Sequence, residues 1–397
     1  MRHLLDRLVP RAYPIGIDLG ASGAKLVQLG CGSSGLRVIG MLRLEAPEIV
    51  SGETENERID AMVRGIARRV AGGGFRGRQC VLSVDDRMLR TRSIRQPRMP
   101  DVEIDAAIRL DGAQRLGFGE EEASEIGWMR AGEVHQGDEV RDELIYLGAP
   151  SEPLARIAMG LASCGLRPLA IEPGFVALTR CFARTLRRSS DGSVVRVLVD
   201  VGYGSTGVVL ARGSGVAFYK PLELGGEDLV RVAAERLGLE PQTVNDLRRQ
   251  RIASVGAPGT GIDPKVDRAL YDAVRPLLGD LAHEVNLCVR HYCVTFRGSR
   301  PSECLVVGGE AREPRLTEAI QDALQIDTSV GRPLAGIEGV RRGVAPVDEG
   351  ACPEWAVGVG LSLRAAEARS ESARGARRER LEGVGEEAGL EEVRRAA

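Results

Sequence analysis

Residues 16–26 read GIDLGASGAKL, a turn of small residues between two apolar runs. The turn opens on Asp18, closes on Lys25 and holds one serine and two glycines between them. The apolar runs on either side predict two short strands, so the stretch reads as a β-hairpin. Glycines let the backbone N–H groups of such a turn approach an anion closely, as in a phosphate-binding nest. Taken alone, the stretch is as consistent with an ordinary glycine hairpin as with a phosphate site.

The same pattern returns in the second half of the chain. Residues 195–210, VRVLVDVGYGSTGVVL, again place an apolar strand, an aspartate, a glycine-rich turn and a second strand in that order. The supersecondary unit is repeated although the residues are not. Two such turns that face each other across a cleft direct their N–H groups at the phosphates of one nucleotide. The repeat therefore favours a shared phosphate site over two unrelated hairpins.

Side chains in and beside both turns suit phosphate as well. Ser22, Ser205 and Thr206 offer hydroxyl donors. Lys25 reaches a β- or γ-phosphate as a point charge. Asp18 and Asp200, in contrast, would repel phosphate oxygens. These two aspartates predict a hydrated Mg²⁺ between them and the triphosphate, because Mg²⁺ prefers oxygen ligands and keeps several of its waters.

A third motif completes the predicted nucleotide site. VVGGEAREP at 306–314 predicts a buried strand that runs into a glycine turn and then a helix, with flat backbone for an adenine or a ribose. The predicted cofactors are therefore ATP and Mg²⁺, the metal held by Asp18 and Asp200 through waters. The predicted nucleotide-contacting residues are Asp18, Gly20, Ala21, Ser22, Gly23, Lys25, Asp200, Gly202, Gly204, Ser205, Thr206, Gly225, Gly226, Gly308, Gly309, Glu310 and Arg312.

Composition excludes several other classes of protein. Aromatic residues make up only 4% of the chain and the formal net charge is −2, so a nucleic-acid surface is not expected. The eight cysteines form no CxxC pair, which argues against structural zinc and against a disulfide scaffold. No stretch reaches the roughly 20 apolar residues of a membrane span, and the first residues lack a signal-peptide pattern. We therefore expect a cytoplasmic protein.

The order of predicted elements indicates an α/β protein, and its 397 residues suggest two or three folding units. The first unit reads as three strands, a helix and a strand, and a smaller α/β unit interrupts it. The predicted divisions are an N-terminal extension at 1–12, a first-lobe core at 13–85 and 165–192, an inserted subdomain at 86–164, a second lobe at 193–364 that is mostly helical over 226–300, and a charged mobile tail at 365–397.

Taken in order, the three motifs resemble those of the superfamily of actin, heat-shock chaperones and sugar kinases. DLGASGAK resembles its first phosphate motif, DVGYGST its second and VVGGEAREP its adenosine motif. Within this superfamily the chain is most similar to the PilM proteins of type IV pilus assembly, with the cell-division protein FtsA as a relative. The most telling stretch is IRQPRMPDVEIDAAIRLDGAQRLGF at 94–118, which resembles the strand, proline turn and helix of PilM.

The resemblance implies an actin-like, ribonuclease H-like ATPase fold of two lobes, with a small α/β subdomain inserted in the first. It implies a cytoplasmic scaffold that binds ATP and has weak or no ATPase activity. It further implies docking on the N-terminal peptide of a PilN-like single-span protein, in a groove between the first lobe and the insert. This partner would hold the scaffold at the inner face of the inner membrane and couple it to the pilus motor ATPases.

The resemblance also assigns roles to single residues. Arg312 would stack on the adenine. Glu172, in LAIEPGF, is the candidate catalytic residue near the attacking water, with ordering of magnesium waters or helix capping as alternatives. Tyr203 and Glu310 depart from the family pattern, and both would weaken ATP binding. Three other interpretations stay open: a small-molecule kinase of the same superfamily, a component like GspL of type II secretion, and a scaffold without nucleotide.

Overall fold

The computed structural model describes the chain with several interruptions. The described residues are 11–32, 35–46, 54–136, 139–186, 188–254, 262–296, 300–339 and 351–364. Nearly all of the predicted N-terminal extension, and the whole of the predicted charged tail, lie outside these ranges.

The described chain contains both strands and helices. The strands are β1 (Arg11–Gly20), β2 (Gly23–Gly32), β3 (Gly35–Glu45), β4 (Gln79–Ser83), β5 (Arg90–Pro97), β6 (Ser124–Gln136), β7 (Glu139–Pro150), β8 (Arg167–Ile171), β9 (Val195–Val201), β10 (Thr206–Arg212), β11 (Gly215–Leu222), β12 (Glu303–Val307) and β13 (Thr328–Val330). The helices are α1 (Glu55–Ala71), α2 (Asp101–Arg115), α3 (Ser151–Ser163), α4 (Gly174–Ala183), α5 (Gly226–Leu237), α6 (Pro241–Ser254), α7 (Pro264–Phe296), α8 (Leu316–Leu324) and α9 at 356–364.

Two five-stranded sheets share one topology. The first has the order β3-β2-β1-β4-β8 and the second the order β11-β10-β9-β12-β13. In each, the first three strands form an antiparallel meander and the last two continue the sheet in parallel. The repeated unit seen in the sequence is thus a repeated half of the fold. Because β1 and β9 occupy the same place in their sheets, the turns that follow them occupy equivalent places too.

Two helix starts show how local sequence sets the elements. At the start of α1, the Thr54 side chain accepts a hydrogen bond from the Glu57 N–H, and the Glu57 carboxylate accepts one from the Thr54 N–H. This reciprocal pair satisfies two backbone donors that a helix start leaves free. At α2 the residue before the helix is Pro100, which makes no side-chain capping bond. Asp101 is the first helical residue, and its carboxylate lies in the first turn, where a negative charge favours the helix dipole.

A third sheet, of order β5-β7-β6, forms the body of the insert. Helix α2 covers one face of it, with Ile104 and Ile108 packed on Tyr146. On the other face, Ala131 and Ile145 join a core that also contains residues of the second lobe. The insert therefore packs on both lobes.

Helices α4 and α9 pack between the two five-stranded sheets at very short distances. A Cβ added at Gly360 in α9 would lie 1.8 Å from the Ala177 carbonyl oxygen of α4. A Cβ added at Gly16 in β1 would lie 2.3 Å from the Gly358 carbonyl oxygen. Only glycine permits such approach, because any side chain would force the backbones apart. These contacts tie the first sheet to the helices beneath the cleft.

Candidate functional site

A cavity of about 460 Å³ opens between the two lobes. Residues 18–22 and Lys25 line it from the first lobe, and Asp200 and residues 202–205 line it from the second. The two turns lie so close that a Cβ on Gly204 would be 3.0 Å from the Ala21 Cβ. They therefore face one shared cavity, as a common phosphate site requires.

Most of the predicted contact residues line this cavity, and a few do not. Those that line it are Asp18, Gly20, Ala21, Ser22, Lys25, Asp200, Gly202, Gly204, Ser205, Gly308, Gly309, Glu310 and Arg312. Gly23, Thr206, Gly225 and Gly226 lie behind the two turns instead. Thr206 is fully buried and its hydroxyl donates to the Leu224 carbonyl oxygen at 2.7 Å, while the Gly226 N–H donates to the Gly202 carbonyl oxygen at 3.0 Å. In this structure these four residues shape the turns from behind, and their contact with a nucleotide stays a prediction.

The first turn is built around one ion pair. The Lys25 ammonium donates to Asp18 at 3.2 Å, and both side chains are 14% exposed. The Ser83 hydroxyl donates to the other Asp18 oxygen at 3.0 Å. Burial alone would lower the pKa of Lys25, but Asp18 and Asp200 outweigh it and raise the pKa. Lys25 is therefore a permanently charged group at neutral pH, fixed beside the turn.

Two further carboxylates share this end of the cavity, and both hold protons more tightly than usual. Burial, followed by repulsion from Asp18, raises the pKa of Asp200 to about 6, with Lys25 opposing the rise. Burial, followed by repulsion from Asp200, raises the pKa of Asp86 to about 7. Asp18, Asp86 and Asp200 thus repel one another, and a cation placed among them would relieve their repulsion.

The adenosine-like motif lies at the same edge because of strand register. β12 runs parallel to β9 with Val307 opposite Asp200, so the turn at 308–312 begins directly beside that aspartate. Gly308 has a φ of +95°, and a Cβ there would lie 2.4 Å from an Asp200 carboxylate oxygen. The glycine is thus required both by its left-handed backbone and by the close approach of the aspartate.

Helix α6 supplies a wall that the sequence did not predict. Asn245, Arg249 and Ile252 line the cavity from it, as does the buried Arg248. A helix in the middle of the second lobe carries no local pattern that marks it as part of a site. Its contribution emerges only from the way the helix packs over the turn at 308–312.

Arg248 anchors this wall through a buried ion network. Its guanidinium donates to Glu310 at 2.8 Å, to Glu313 at 2.7 Å and to the Gly226 carbonyl oxygen at 3.1 Å. Arg251 donates to the second Glu313 oxygen at 2.6 Å. The carboxylate of Glu310, a departure from the family pattern, is therefore neutralised by Arg248. Tyr203, the other departure, lines the cavity.

Glu172, the predicted catalytic residue, is held elsewhere. Its carboxylate accepts bonds from Arg180 at 2.5 and 3.2 Å and from Arg364 at 2.7 Å. The side chain is 7% exposed and is not among the residues that line the cavity. Glu172 links α4 to α9 through these bonds, and its predicted place near an attacking water stays a prediction.

Asp86 is a further cavity residue that was not predicted from the sequence. It opens a short 3₁₀ turn at 86–88 directly after β4. β4 runs parallel to β1 with Ser83 opposite Asp18, so the residues after β4 emerge beside the first turn. A usable signal was present, because side chains that follow neighbouring parallel strands meet at one edge of a sheet.

A second cavity, of about 470 Å³, lies on the other side of the first turn. Ile59, Met62 and Val63 line it from α1, and Val84, Asp85, Arg87 and Met88, at the entry to the insert, line it as well. Residues 19–21 line both cavities. The glycine turn thus separates the interlobe cavity from a largely apolar groove near the insert.

Among the described residues, no group of three histidine, cysteine, aspartate or glutamate side chains is placed to hold a metal ion. No helix in the same part of the chain has the length and apolar character that crossing a bilayer demands.

Comparison with known families decides the relationship. The family model described as "Type IV pilus assembly protein PilM" matches residues 16–366. The chain belongs to the PilM family. No curated protein matches it. This family assignment confirms the resemblance that the phosphate motifs and the insert predicted.

Solved structures show the same fold. A chain of the "PilM-PilN type IV pilus biogenesis complex" is 22% identical, covers 89% of this chain and 99% of its own, and superposes with a TM-score of 0.71. The ethanolamine utilization protein EutJ from Carboxydothermus hydrogenoformans is 15% identical over 90% of this chain and 91% of its own, with a TM-score of 0.50. The predicted actin-like fold, shared by these neighbours, is confirmed.

Proposed function

We propose that this PilM-family chain is a nucleotide-binding scaffold of a type IV pilus assembly platform, with ATP and Mg²⁺ bound between its lobes. The observation that carries the proposal is the pair of turns, 18–22 and 202–205, around one cavity. Backbone N–H groups of such turns form nests for phosphate oxygens. The cavity of about 460 Å³ also falls within the range of about 300–1,000 Å³ found for small-molecule sites.

Charges around the turns suit a triphosphate with its cation. Lys25 provides a fixed positive charge for a terminal phosphate. Asp18 and Asp200 carry oxygen donors of the kind that Mg²⁺ prefers, and a cation would relieve the repulsion that raises the pKa of Asp200. Since the described residues offer no direct three-ligand set, the metal would be held through its waters.

The other end of the cavity suits the nucleoside. The turn at 308–312 offers backbone without bulky side chains at Gly308 and Gly309, and Arg312 lines the cavity beside it. The planar guanidinium of Arg312 can stack on an adenine face. Asn245 on α6 offers polar groups to a ribose. This end therefore supports the adenosine assignment that the family resemblance implies.

The proposed protein is a scaffold and at most a slow hydrolase. Phosphoryl transfer to water needs a positioned water and a group to orient it. Glu172, the residue that the resemblance assigned to this task, has its carboxylate bound by Arg180 and Arg364. Nucleotide would then act chiefly as a ligand that holds the two lobes together.

The partner we propose is the N-terminal peptide of a PilN-like single-span membrane protein, and this docking would place the chain at the inner face of the membrane, near the pilus motor ATPases. The family relative of known structure is described as a PilM-PilN complex. The apolar cavity between α1 and residues 84–88 is the groove that lies at the junction of the first lobe and the insert. Its size and apolar lining suit the side chains of a short peptide.

Isothermal titration calorimetry with Mg·ATP tests the nucleotide site. Wild-type protein should bind, and Lys25→Ala should weaken binding by about 1.5–3 kcal/mol, roughly 10- to 150-fold in Kd, because it removes a charge-assisted contact. Lys220→Ala is the matched control, since that lysine pairs on the surface with Glu284 and lines neither cavity. Equal affinity of the wild type and the Lys25 variant would disprove the site.

A second titration adds the first residues of the neighbouring single-span membrane protein as a synthetic peptide. Saturable binding supports the scaffold assignment, and no binding to the intact chain contradicts it. Phosphorylation of a sugar in a parallel screen would favour the small-molecule kinase. Peptide binding without any nucleotide binding would favour the scaffold that has lost its nucleotide.

A further inference from the structure

We propose that Asp86 is the third carboxylate that holds the water shell of the nucleotide-bound cation, in place of Glu172. The proposal rests on the proposed nucleotide function and adds a binding residue to it. The local sequence around Asp86 does not indicate this role, but the position of Asp86 in the fold does.

The backbone around Asp86 aims its carboxylate into the interlobe cavity. Asp85 precedes it, and the Asp85 carboxylate is occupied by the Arg87 guanidinium at 3.1 and 3.0 Å and by the Arg87 N–H at 2.9 Å. Asp86 lines the cavity, and its oxygens reach across to the second lobe. A Cβ added at Gly207 in β10 would lie 3.3 Å from one of them. Asp86 thus stands at the base of the cleft, where both lobes meet.

The charges that face Asp86 are mostly negative. Asp18, Asp200 and Asp85 all disfavour its ionised form. In the part of the chain that the structure describes, no lysine or arginine forms an ion pair with the Asp86 carboxylate, and Lys25 is engaged by Asp18. A buried carboxylate without a cationic partner is costly. A hydrated divalent cation would supply the missing charge.

Tyr219 in β11 positions the Asp86 carboxylate from the second lobe. It is 5% exposed, and its hydroxyl lies within hydrogen-bonding reach of that carboxylate. Its ring stacks on Phe175 with centroids 4.0 Å apart, which holds the hydroxyl in place. Asp86 is thus fixed by a neutral donor, and its negative charge is left for a cation in the cavity.

Outer-sphere binding fits the donor geometry. No three of the described carboxylates are grouped closely enough to hold a metal ion by themselves. Mg²⁺ gives up its waters reluctantly and is commonly held through them. Asp18, Asp86 and Asp200 would then act as three acceptors for cation-bound waters. Glu172 cannot take this part, because two arginines occupy its oxygens.

The test measures how strongly Mg²⁺ improves nucleotide binding. ATP affinity is determined by calorimetry in EDTA and in saturating Mg²⁺, for wild type, Asp86→Asn and the surface control Asp272→Asn. The Kd in EDTA divided by the Kd in Mg²⁺ measures this improvement. This ratio should fall about 10-fold in Asp86→Asn, as for loss of an outer-shell metal partner. It should stay at the wild-type value in the control, because Asp272 is 60% exposed on α7 and is not among the residues that line the cavity.

The outcomes separate this inference from the proposed function. Wild-type protein that binds no ATP in either buffer overturns both. Wild-type protein with strong Mg²⁺ dependence that Asp86→Asn leaves unchanged overturns the inference alone. Asp86→Glu, which keeps the charge but moves it by one methylene, serves if the asparagine variant does not fold, and its ratio should fall by a smaller factor. Glu172→Gln should keep the wild-type ratio, and a 10-fold fall there would return the role to Glu172.

Discussion

Replacing Glu313 by glutamine should strongly destabilise the second lobe. Glu313 is fully buried and binds two arginines, Arg248 at 2.7 Å and Arg251 at 2.6 Å. Burial alone would lower the pKa of Arg248, but Glu310 and Glu313 outweigh it and raise the pKa. Without Glu313, Arg248 keeps Glu310 and Arg251 keeps the half-exposed Asp267. Breaking a buried pair costs about 3–5 kcal/mol, and the remaining partners place the expected loss at about 3 kcal/mol.

Thermal unfolding followed by circular dichroism measures this effect. A loss of about 3 kcal/mol corresponds to a fall in Tm of roughly 6–12 °C for a folding unit of this size. Glu284→Gln is the matched control, because Glu284 is 40% exposed in a surface pair with Lys220 that contributes at most about 1 kcal/mol. An unchanged Tm in Glu313→Gln would show that the ion network contributes nothing to the free energy of unfolding. The network would then not be what fixes α6 against the site. Saturating Mg·ATP should recover part of the loss, because a ligand that binds only the folded state stabilises it.

Three further results are expected. In EDTA, burial raises the pKa of Asp86 to about 7 from 3.8, so the folded protein binds more protons than the unfolded one. This group therefore lowers the free energy of unfolding as the pH rises from about 4 to 7. The Tm of Asp86→Asn should rise relative to that of wild type across this pH range, and a constant Tm difference contradicts the assignment. Gly360→Ala should lose at least about 1–3 kcal/mol in urea unfolding, since its Cβ would lie 1.8 Å from an α4 carbonyl oxygen, whereas Gly279→Ala, with open space around it, should be neutral or stabilising. Met62→Glu in the apolar groove should weaken peptide binding at least about 10-fold, while Met159→Glu on the exposed side of α3 should bind normally.

The parts of the site that sequence predicted are those that depend on local geometry. A turn that opens on an aspartate and holds glycines must fold tightly wherever it lies, so Asp18, Gly20 and Lys25 could be recognised from eleven residues. Their recurrence around Asp200 then indicated two related halves. Whether a hydroxyl points to the cavity or away from it depends on the strand beneath, and the Thr206 hydroxyl donates to the Leu224 carbonyl oxygen, a bond that the turn sequence alone does not reveal.

The wall formed by α6 could not be predicted for a different reason. Arg248 and Arg249 look like ordinary charges of a surface helix in the sequence LRRQR. Only tertiary packing buries the first against Glu313 and brings the second to the cavity. The ion pairs of Glu172 could not be predicted for the same reason, because its partner Arg364 lies 192 residues further along the chain.

The repeat also relates individual positions of the site in the two halves of the fold. Ser83 stands opposite Asp18 in the first sheet, and Val307 stands opposite Asp200 in the second. The third residue after each of these positions is Asp86 in one lobe and Glu310 in the other, so the two carboxylates occupy equivalent places in the two halves.

Each of these carboxylates lines the cavity, but their partners differ. Arg248 neutralises Glu310 at 2.8 Å, whereas no lysine or arginine of the described chain pairs with Asp86. One half of the fold has closed this position with an arginine, and the other has left it open beside Asp18 and Asp200. We therefore expect a nucleotide-bound cation on the side of the cleft where Asp86 stands. A nucleotide held this way would contact the second lobe through its base, and its cation would be shared between Asp18 and Asp86 of the first lobe and Asp200 of the second.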